Sequence, residues 1–476
     1  MEQNGFIVAL DLGSSKIVGL LGRKNAQGVI SVLASEIVPA DSCVRQGVVY
    51  NIDEAAGKIK KVISLLENKT GKKIGKVYVS IAGRSLRAIE HIQTRALPES
   101  SEVTFQDLDQ MEQAARQNKP DFFSNYSVVA PEIFLDGAKQ ETAEDAIGKT
   151  ASLLEGRYRL IVGRPNIKSN LIKCITEKNK LEIAGFVVGP VATGAILLDE
   201  EDKNDGCALI DFGAGTTTVS VYKDGLLRYM SVIPFGGRTV TRDIESLGFV
   251  HNSAESYKIK YGRLGKDKSK SSGQVSSDVD LKELNRVIQL REEEILLNVI
   301  NQIKESGYYD QLNSGIIVTG GASQMEGLVD FITDKYKIPV KKGVVKRLYI
   351  NNAADLLQNP VYAQGLGILL FGNENCEKQE TASAYYNTQG TYQSTSQGQA
   401  TQTQVNPENN AEPQKTDLKQ PEPTENKGGS ETGNDVGSKK EDVKKHKKEE
   451  SKGQRSLFDL FGKIQNLGGT MFKDEK

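Results

Sequence analysis

Two short stretches combine an acid with small residues in a pattern that can hold phosphate. Asp11-Leu12-Gly13-Ser14-Ser15-Lys16 is the first, and Asp211-Phe212-Gly213-Ala214-Gly215-Thr216-Thr217 is the second. Glycine, serine and threonine in a tight turn let backbone N–H groups come close to a phosphate. A single D-x-G turn means little, because it is common wherever a strand ends. Two of them, each opening its half of the patterned region, predict a duplicated domain with two phosphate clamps facing one cleft. A third turn, Thr319-Gly320-Gly321-Ala322-Ser323, ends an apolar run and leads into a helical pattern. It suits close approach of a flat ring or a phosphate, and equally a connector that only needs a tight turn.

Elements of fixed type must position these turns. Residues 6–10 and 17–21 are apolar runs that read as buried strands, as do 207–210 and 218–222. Each turn is therefore the tip of a β-hairpin. After the first come a strand at 29–34, an amphipathic helix at 52–69 and a strand at 77–83. Residues 84–163 break this rhythm, with strands at 89–96 and 126–133 and a helix from Phe105 capped by Thr104. Arg159 to Gly163 is expected to return to the main sheet, followed by a helix at 167–179, a strand at 183–188 and a connecting helix at 190–198. The second half repeats the plan: helices at 240–247 and 254–261, a charged loop at 266–277, a long helix at 281–306, a helix at 327–336 and a closing one at 359–371. The expected fold is α/β, with two duplicated domains around a cleft and an inserted α+β subdomain.

Composition narrows the function. The chain has 476 residues, 61 basic and 62 acidic, for a net charge of −1, so bulk electrostatics gives no case for nucleic acid. Cys43, Cys174, Cys207 and Cys376 lie far apart with no metal-ligand or CxxC spacing, which reads as reduced, isolated cysteines. The start of the chain has no basic n-region, and no apolar run reaches spanning length, so neither secretion nor membrane crossing is expected. From 373 to 454 the chain is Gln, Thr, Ser, Lys, Glu and Pro with almost no aliphatic residues, the composition of a disordered linker. At about 80 residues it would span on the order of 50 Å.

The last stretch, 455–476, is apolar again. On a helical wheel Leu457, Phe458, Leu460, Phe461, Ile464, Leu467, Met471 and Phe472 share one half, and Arg455, Asp459, Lys463, Asn466, Thr470 and Lys473 take the other. An amphipathic membrane-targeting helix is expected, with docking on its own core or on a protein partner as the alternative. Gly462, Gly468 and Gly469 each cost about 1 kcal/mol in a helix, so it should form only on binding.

In this order, D-L-G-S-S-K, a connecting helix, D-F-G-A-G-T-T, T-G-G-A-S and a closing Gly-Leu-Gly helix resemble the actin, sugar-kinase and heat-shock-chaperone ATPase superfamily. That resemblance implies ATP and Mg²⁺ between the two domains, with Asp11 and Asp211 near the metal, since bare carboxylates would repel a triphosphate. It implies that Gly13, Ser14, Ser15, Lys16, Gly213, Gly215, Thr216 and Thr217 hold phosphates and that Gly320, Gly321 and Ala322 flank the adenosine. Glu255 and Lys258, three apart on one helix face, would take ribose and base; a surface ion pair is the alternative.

Within that superfamily, Gly47-Val48-Val49-Tyr50-Asn51-Ile52, Val79-Ser80-Ile81-Ala82-Gly83, Ile233-Pro234-Phe235-Gly236-Gly237, Ala254-Glu255-Ser256-Tyr257-Lys258 and Arg291-Glu292-Glu293-Glu294-Ile295 look like the bacterial FtsA cell-division family. The insertion is similar to that family's 1C subdomain. The implied arrangement is a first domain at 1–83 with 164–204 and 352–372, the insertion at 84–163, and a second domain at 205–351 whose outer part is about 240–313. Two features depart from the pattern. Gly189 stands where the family usually has an acid before the connecting-helix proline, and 190–194 contains no water-orienting Gln, Glu or His. The catalytic residue is thus unassigned, and at most slow ATP hydrolysis is implied. The implied role is a filament-forming adaptor at the inner face of the bacterial membrane, at the division site, with the tubulin-like FtsZ C-terminal peptide, other division proteins, lipid and its own copies as partners. Arg291 reads as a contact for that peptide or as one half of a helix-stabilising pair. Rival readings are a phosphotransferase of the same fold and a pilus-assembly adaptor.

Overall fold

The computed structural model describes residues 5–265 and 280–378. Residues 379–454 of the expected linker, the terminal amphipathic stretch and the membrane-facing residues expected on it lie outside the described residues; residues 373–378, read as the start of the linker, instead pack on the first lobe, with Cys376 buried and Glu377 paired with Lys72.

The first lobe opens with β1 (Ile7–Leu12), β2 (Lys16–Lys24) and β3 (Ile30–Pro39), a meander whose first turn is the acid-and-glycine stretch. A two-residue ladder, β4 (Val44–Arg45) with β5 (Val48–Val49), leads to α1 (Ile52–Thr70) and β6 (Lys76–Ile81). Asn51 caps α1 by accepting from the Glu54 N–H at 3.2 Å, and Gly71 ends it in the left-handed region. Ile59, Val62 and Leu66 recur on one face of α1 and are fully buried against the sheet.

The insertion comes next: β7 (Arg87–Glu102), α2 (Phe105–Gln117), β8 (Ser124–Leu135), β9 (Ala138–Lys139) and β10 (Thr150–Gly163). Thr104 and Asp107 form the reciprocal capping box of α2, as the sequence suggested. The four strands make a separate sheet in the order β7-β10-β8-β9, with a core that includes Met111, Ile133, Leu154 and Leu160. One expectation is corrected here. Arg159 to Gly163 does not return to the main sheet; it is the end of β10 and pairs with β7 and β8 throughout. The short run 159–163 showed only the buried end of a strand whose outer half alternates with exposed residues.

The chain returns through α3 (Asn166–Ile172), which continues as a π-helical turn over Lys173–Lys178 rather than as one regular helix. The Asn179 amide donates to Cys174 O at 2.8 Å, within the wider turn, and to Ala56 O at 3.0 Å, which ties that turn to α1. Then come β11 (Glu182–Val188), α4 (Gly189–Leu197) and α5 (Glu200–Asp205). The completed first sheet runs β11-β6-β1-β2-β3.

The second lobe has β12 (Cys207–Phe212), β13 (Thr217–Lys223) and β14 (Leu226–Ile233), then α6 (Gly237–Glu245), α7 (His251–Tyr261) and α8 (Leu281–Glu305). β15 (Ile316–Thr319), α9 (Leu328–Tyr336), β16 (Val340–Lys342), α10 (Ala354–Gln358) and α11 (Ala363–Phe371) complete the described chain. Its sheet runs β14-β13-β12-β15-β16, the same plan as the first: an antiparallel meander on one side of the hairpin's first strand and parallel strands on the other. Both α6 and α7 start three residues earlier than periodicity suggested, because Gly237 and His251 are helical although they carry no apolar signal. α4 and α11 pack on one another at the base of the cleft. The duplicated lobes, their cleft and the insertion are those of an actin-like ATPase fold.

All four cysteines are buried and unpaired. Burial pushes the thiols of Cys174, Cys207 and Cys376 up to about 12, so they are packing residues and not nucleophiles.

Candidate nucleotide cleft

The two turns are built alike. Asp11 pairs with Val18 and Leu12 with Ile17 across the first hairpin; Asp211 pairs with Thr218 and Phe212 with Thr217 across the second. Gly13 N–H donates to Lys16 O at 3.0 Å, and Gly213 N–H donates to Thr216 O at 2.9 Å. Each acid therefore sits two residues before the glycine that closes its turn, with the small side chains at the tip.

The tips meet. A methyl group on Gly215 would lie 2.5 Å from Ser14 Oγ, inside any allowed contact, so the second turn approaches the first only as glycine. Arg238 on α6 donates across the gap to Ser14 O at 2.7 Å and Asp41 O at 3.2 Å, and the Gln46 amide donates to Pro234 O at 3.1 Å. A cleft of about 1460 Å³ opens beside these contacts. That exceeds the few hundred Å³ or so that a small molecule usually needs, so chemistry and not volume must set what binds.

Asp11 is buried and well held. Ser80 Oγ donates to its Oδ1 at 3.0 Å, the Gln364 amide donates to the same oxygen, and Leu12 N–H donates to Ser80 Oγ at 3.3 Å. Burial raises its carboxyl above the usual range, against the opposing pull of Ser80, Gln364 and the charge of Lys16. Burial in turn lowers Lys16, which Glu255 and Asp11 draw the other way. Asp211 has no such hydrogen bonds among the described residues. Burial, and then the charge of Asp11, push its carboxyl up to about 7. Gly320 lies beside it with φ of +87°, and a side chain there would come within 2.2 Å of Asp211 Oδ1. A buried carboxyl and a half-buried one, both driven toward protonation where no cation answers them, form a donor set that fits a hard divalent cation.

Further in, Lys258 Nζ donates to Glu255 Oε2 at 2.7 Å, Thr241 Oγ1 at 2.8 Å and Gly237 O at 2.9 Å. Burial alone would raise Glu255, but Lys258's charge and the bonds from Lys258 and Thr241 outweigh it and hold the carboxyl below its ordinary value. The pair lines the cleft and is also an i,i+3 ion pair whose Glu255 side chain is partly exposed, so both readings of it stand.

Of the residues singled out in the sequence, Asp11, Gly13, Ser14, Ser15, Lys16, Asp211, Gly213, Gly215, Thr216, Glu255, Lys258, Gly320, Gly321 and Ala322 all line this one cleft. Thr217 does not. It is the first residue of β13, fully buried, and its hydroxyl donates to Phe235 O at 3.0 Å, which ties the turn to the strand behind it. Arg291 is a helix clamp, bonded to Asp243 on α6 and to Glu294. Sequence reasoning missed Ser80, Gln364, Arg238 and Glu292. A methyl group on Gly189 would lie 2.5 Å from Gln364 Oε1, so the glycine before Pro190 makes room for the amide that reaches Asp11.

Comparison with known proteins bears on the family and the fold. The family described as "Cell division protein FtsA" matches residues 208–367. A "Cell division protein FtsA" of Porphyromonas gingivalis is 32% identical over 336 residues, 68% of this chain and 69% of that protein. One from Neisseria meningitidis serogroup B is 31% identical over 384 residues, covering 77% and 90%. Among solved structures, one titled "PilM-PilN type IV pilus biogenesis complex" has a TM-score of 0.55 at 16% identity and covers 77% of this chain and 98% of that one. That last likeness concerns fold alone.

Proposed function

The chain belongs to the family of the cell division protein FtsA, and on that footing we propose that it is an ATP-binding, filament-forming adaptor that tethers the FtsZ ring to the cytoplasmic membrane. The observation that carries this reading is the meeting of two matched phosphate-type turns, Gly215 against Ser14, in a cleft lined by Asp11, Asp211 and Lys258.

Backbone N–H groups of the two turns would receive the phosphates, with Lys16 as a nearby cation. Asp11 and Asp211 would hold Mg²⁺, which when bound neutralises phosphate charge. Gly320, Gly321 and Ala322 would face the adenosine, and Glu255 with Lys258 the ribose and base. Because the nucleotide would touch both turns, its binding would fix the two lobes against each other, and a fixed interlobe geometry is what a repeating filament contact requires.

The membrane step rests on residues 455–476. One amphipathic helix with few and mixed charges binds lipid weakly and reversibly. A filament that presents many such helices multiplies the attachment by avidity, so polymerisation and membrane binding would reinforce each other. Among the described residues no helix is long and apolar enough to cross a membrane, which accords with a peripheral attachment. The FtsZ peptide would dock on the outer part of the second lobe, about 240–313.

The test is co-sedimentation with vesicles of phosphatidylethanolamine and phosphatidylglycerol, with and without Mg-ATP, for the full chain and for one stopped at Gly453. Expected are pelleting of the full chain that rises with Mg-ATP, and loss of pelleting in the shortened one. Equal pelleting of both would overturn the tether, and turnover of a small phosphate acceptor would favour a phosphotransferase instead.

A further inference from the structure

The duplicated lobes put a hydroxyl beside each acid, and the two hydroxyls are used differently. In the first lobe β1 and β6 run parallel with Leu10 opposite Val79, so the next residues along, Asp11 and Ser80, face each other. In the second lobe β12 and β15 run parallel with Asp211 opposite Thr319. Thr319 is thus the counterpart of Ser80 in the repeated plan. Residues that face each other on neighbouring strands project to the same side of the sheet about 4.8 Å apart, which suits a hydrogen bond between short side chains.

Ser80 makes that bond. Its Oγ donates to Asp11 Oδ1 at 3.0 Å and accepts from Leu12 N–H at 3.3 Å. Thr319 does not. It is 1% exposed and lines the cleft, yet its Oγ1 has no hydrogen-bond partner among the described residues. A buried hydroxyl left unpaired is costly, so its place opposite an acid calls for a partner. The Asp211 carboxyl lies against the next residue, Gly320, where a methyl group would come within 2.2 Å of Oδ1. Donor and acceptor therefore stand on facing residues of one ladder, with the acid turned one position past the hydroxyl.

Resting on the nucleotide reading, we propose that Thr319 is a positioning residue for Asp211, whose hydroxyl donates to the Asp211 carboxylate in the protein loaded with cation and nucleotide, as Ser80 donates to Asp11 in the free one. A carboxylate that holds a cation is ionised and can only accept, so its remaining lone pairs take a donor from the protein. Hydrogen bonds of this outer kind orient a carboxylate ligand and are worth roughly 10- to 100-fold in metal affinity. The first acid is held before any ligand arrives; the second is held on loading.

The experiment follows binding of a fluorescent ATP analogue to the full chain and to its Thr319→Val and Thr319→Ser variants, with Mg²⁺ and with a chelator, beside urea unfolding of each free protein. Valine keeps the shape of threonine and removes the hydroxyl; serine keeps the hydroxyl. Thr319→Val should bind the analogue about 10-fold more weakly with Mg²⁺, and the loss should fall on the Mg²⁺-dependent part of the affinity. Thr319→Ser should stay within a few-fold of the unaltered chain. In urea with chelator, Thr319→Val should hold or raise the midpoint, because no hydrogen bond is lost, whereas Ser80→Ala should lower it. Unchanged affinity with Mg²⁺ in Thr319→Val overturns the inference. Equal loss with and without Mg²⁺ also overturns it, since the hydroxyl would then touch the nucleotide itself. A urea midpoint lowered as far as in Ser80→Ala overturns it too, by showing that the hydroxyl serves the fold. If the unaltered chain does not bind the analogue in either condition, the nucleotide reading itself fails, and this inference falls with it.

Discussion

The two acid-and-glycine turns share a backbone and differ in what holds the acid. Their hairpin registers match residue for residue, and their closing hydrogen bonds differ by only 0.1 Å, at 3.0 and 2.9 Å. Yet Asp11 receives Ser80 from β6 and Gln364 from α11, whereas no hydrogen bond reaches the Asp211 carboxylate among the described residues. The first acid is hydrogen-bonded within its own lobe and to the closing helix; the second is not, and the charge of Asp11 opposes its ionisation. The shared hairpin gives the geometry, and the contacts outside it separate a held acid from an open one.

That division depends on the turns meeting, so the largest expected effect comes from separating them. Gly215→Val would drive a branched side chain into Ser14, where even a methyl group lies 2.5 Å from Oγ. The lobes must then part at the tips. Nucleotide affinity should fall by about 100-fold or more, an energy on the order of 3 kcal/mol, while circular dichroism stays unchanged because neither core is touched. Calorimetric titration with Mg-ATP checks this. Affinity within a few-fold of the original would mean that the turns do not act as one site.

A third buried acid in the same cleft gives the scale against which the other two are judged. Glu292 is raised to about 7 in the folded chain, well above the unfolded value of about 4.3. Its stabilising contribution is therefore complete below the unfolded value and is lost as pH rises through about 7. At 1.36 kcal/mol per pKa unit, the loss is at most about 4 kcal/mol. Glu292→Gln carries no such dependence, so its urea midpoint should gain on that of the original chain between pH 5.5 and pH 8. A gap that stays constant over that range would show that the carboxyl is not buried as described.

How much of this was legible in the sequence depends on where each signal was written. The hairpins were readable because each is a local apolar–turn–apolar run with its acid in register. The Glu255–Lys258 pair was readable because the two lie three apart on one helix. Gln364, Ser80 and Arg238 were not, because each acts across the fold on a partner far away in the chain, and nothing local marks an amide or a serine as the holder of an aspartate. Gly189 shows the same limit. It reads as a missing acid until the structure puts the Gln364 amide against it. The long strand β10 was truncated in the sequence for a different reason: its outer half alternates buried and exposed residues around Gly156, and only its last residues form a continuous apolar run.

The smallest expected effect is also the most direct test of the contrast between the turns. Asparagine is nearly isosteric with aspartate, so Asp11→Asn and Asp211→Asn change charge and hydrogen bonding while leaving shape alone. At Asp11 the change replaces a charged acceptor with a neutral amide that brings a donor of its own into a place already supplied with donors by Ser80 and Gln364. It should destabilise the nucleotide-free protein by about 1–2 kcal/mol. At Asp211 it removes a half-buried charge that no described group hydrogen-bonds and that Asp11 repels, so the free protein should gain up to about 1 kcal/mol. Urea unfolding in the presence of a chelator measures both. Opposite signs would establish that the first acid serves the fold as well as the ligand and the second serves the ligand alone, since both variants should lose affinity for Mg-ATP. Equal signs would mean that the hydrogen bonds to Asp11 do not separate the two turns, and that the duplicated acids remain energetically equivalent.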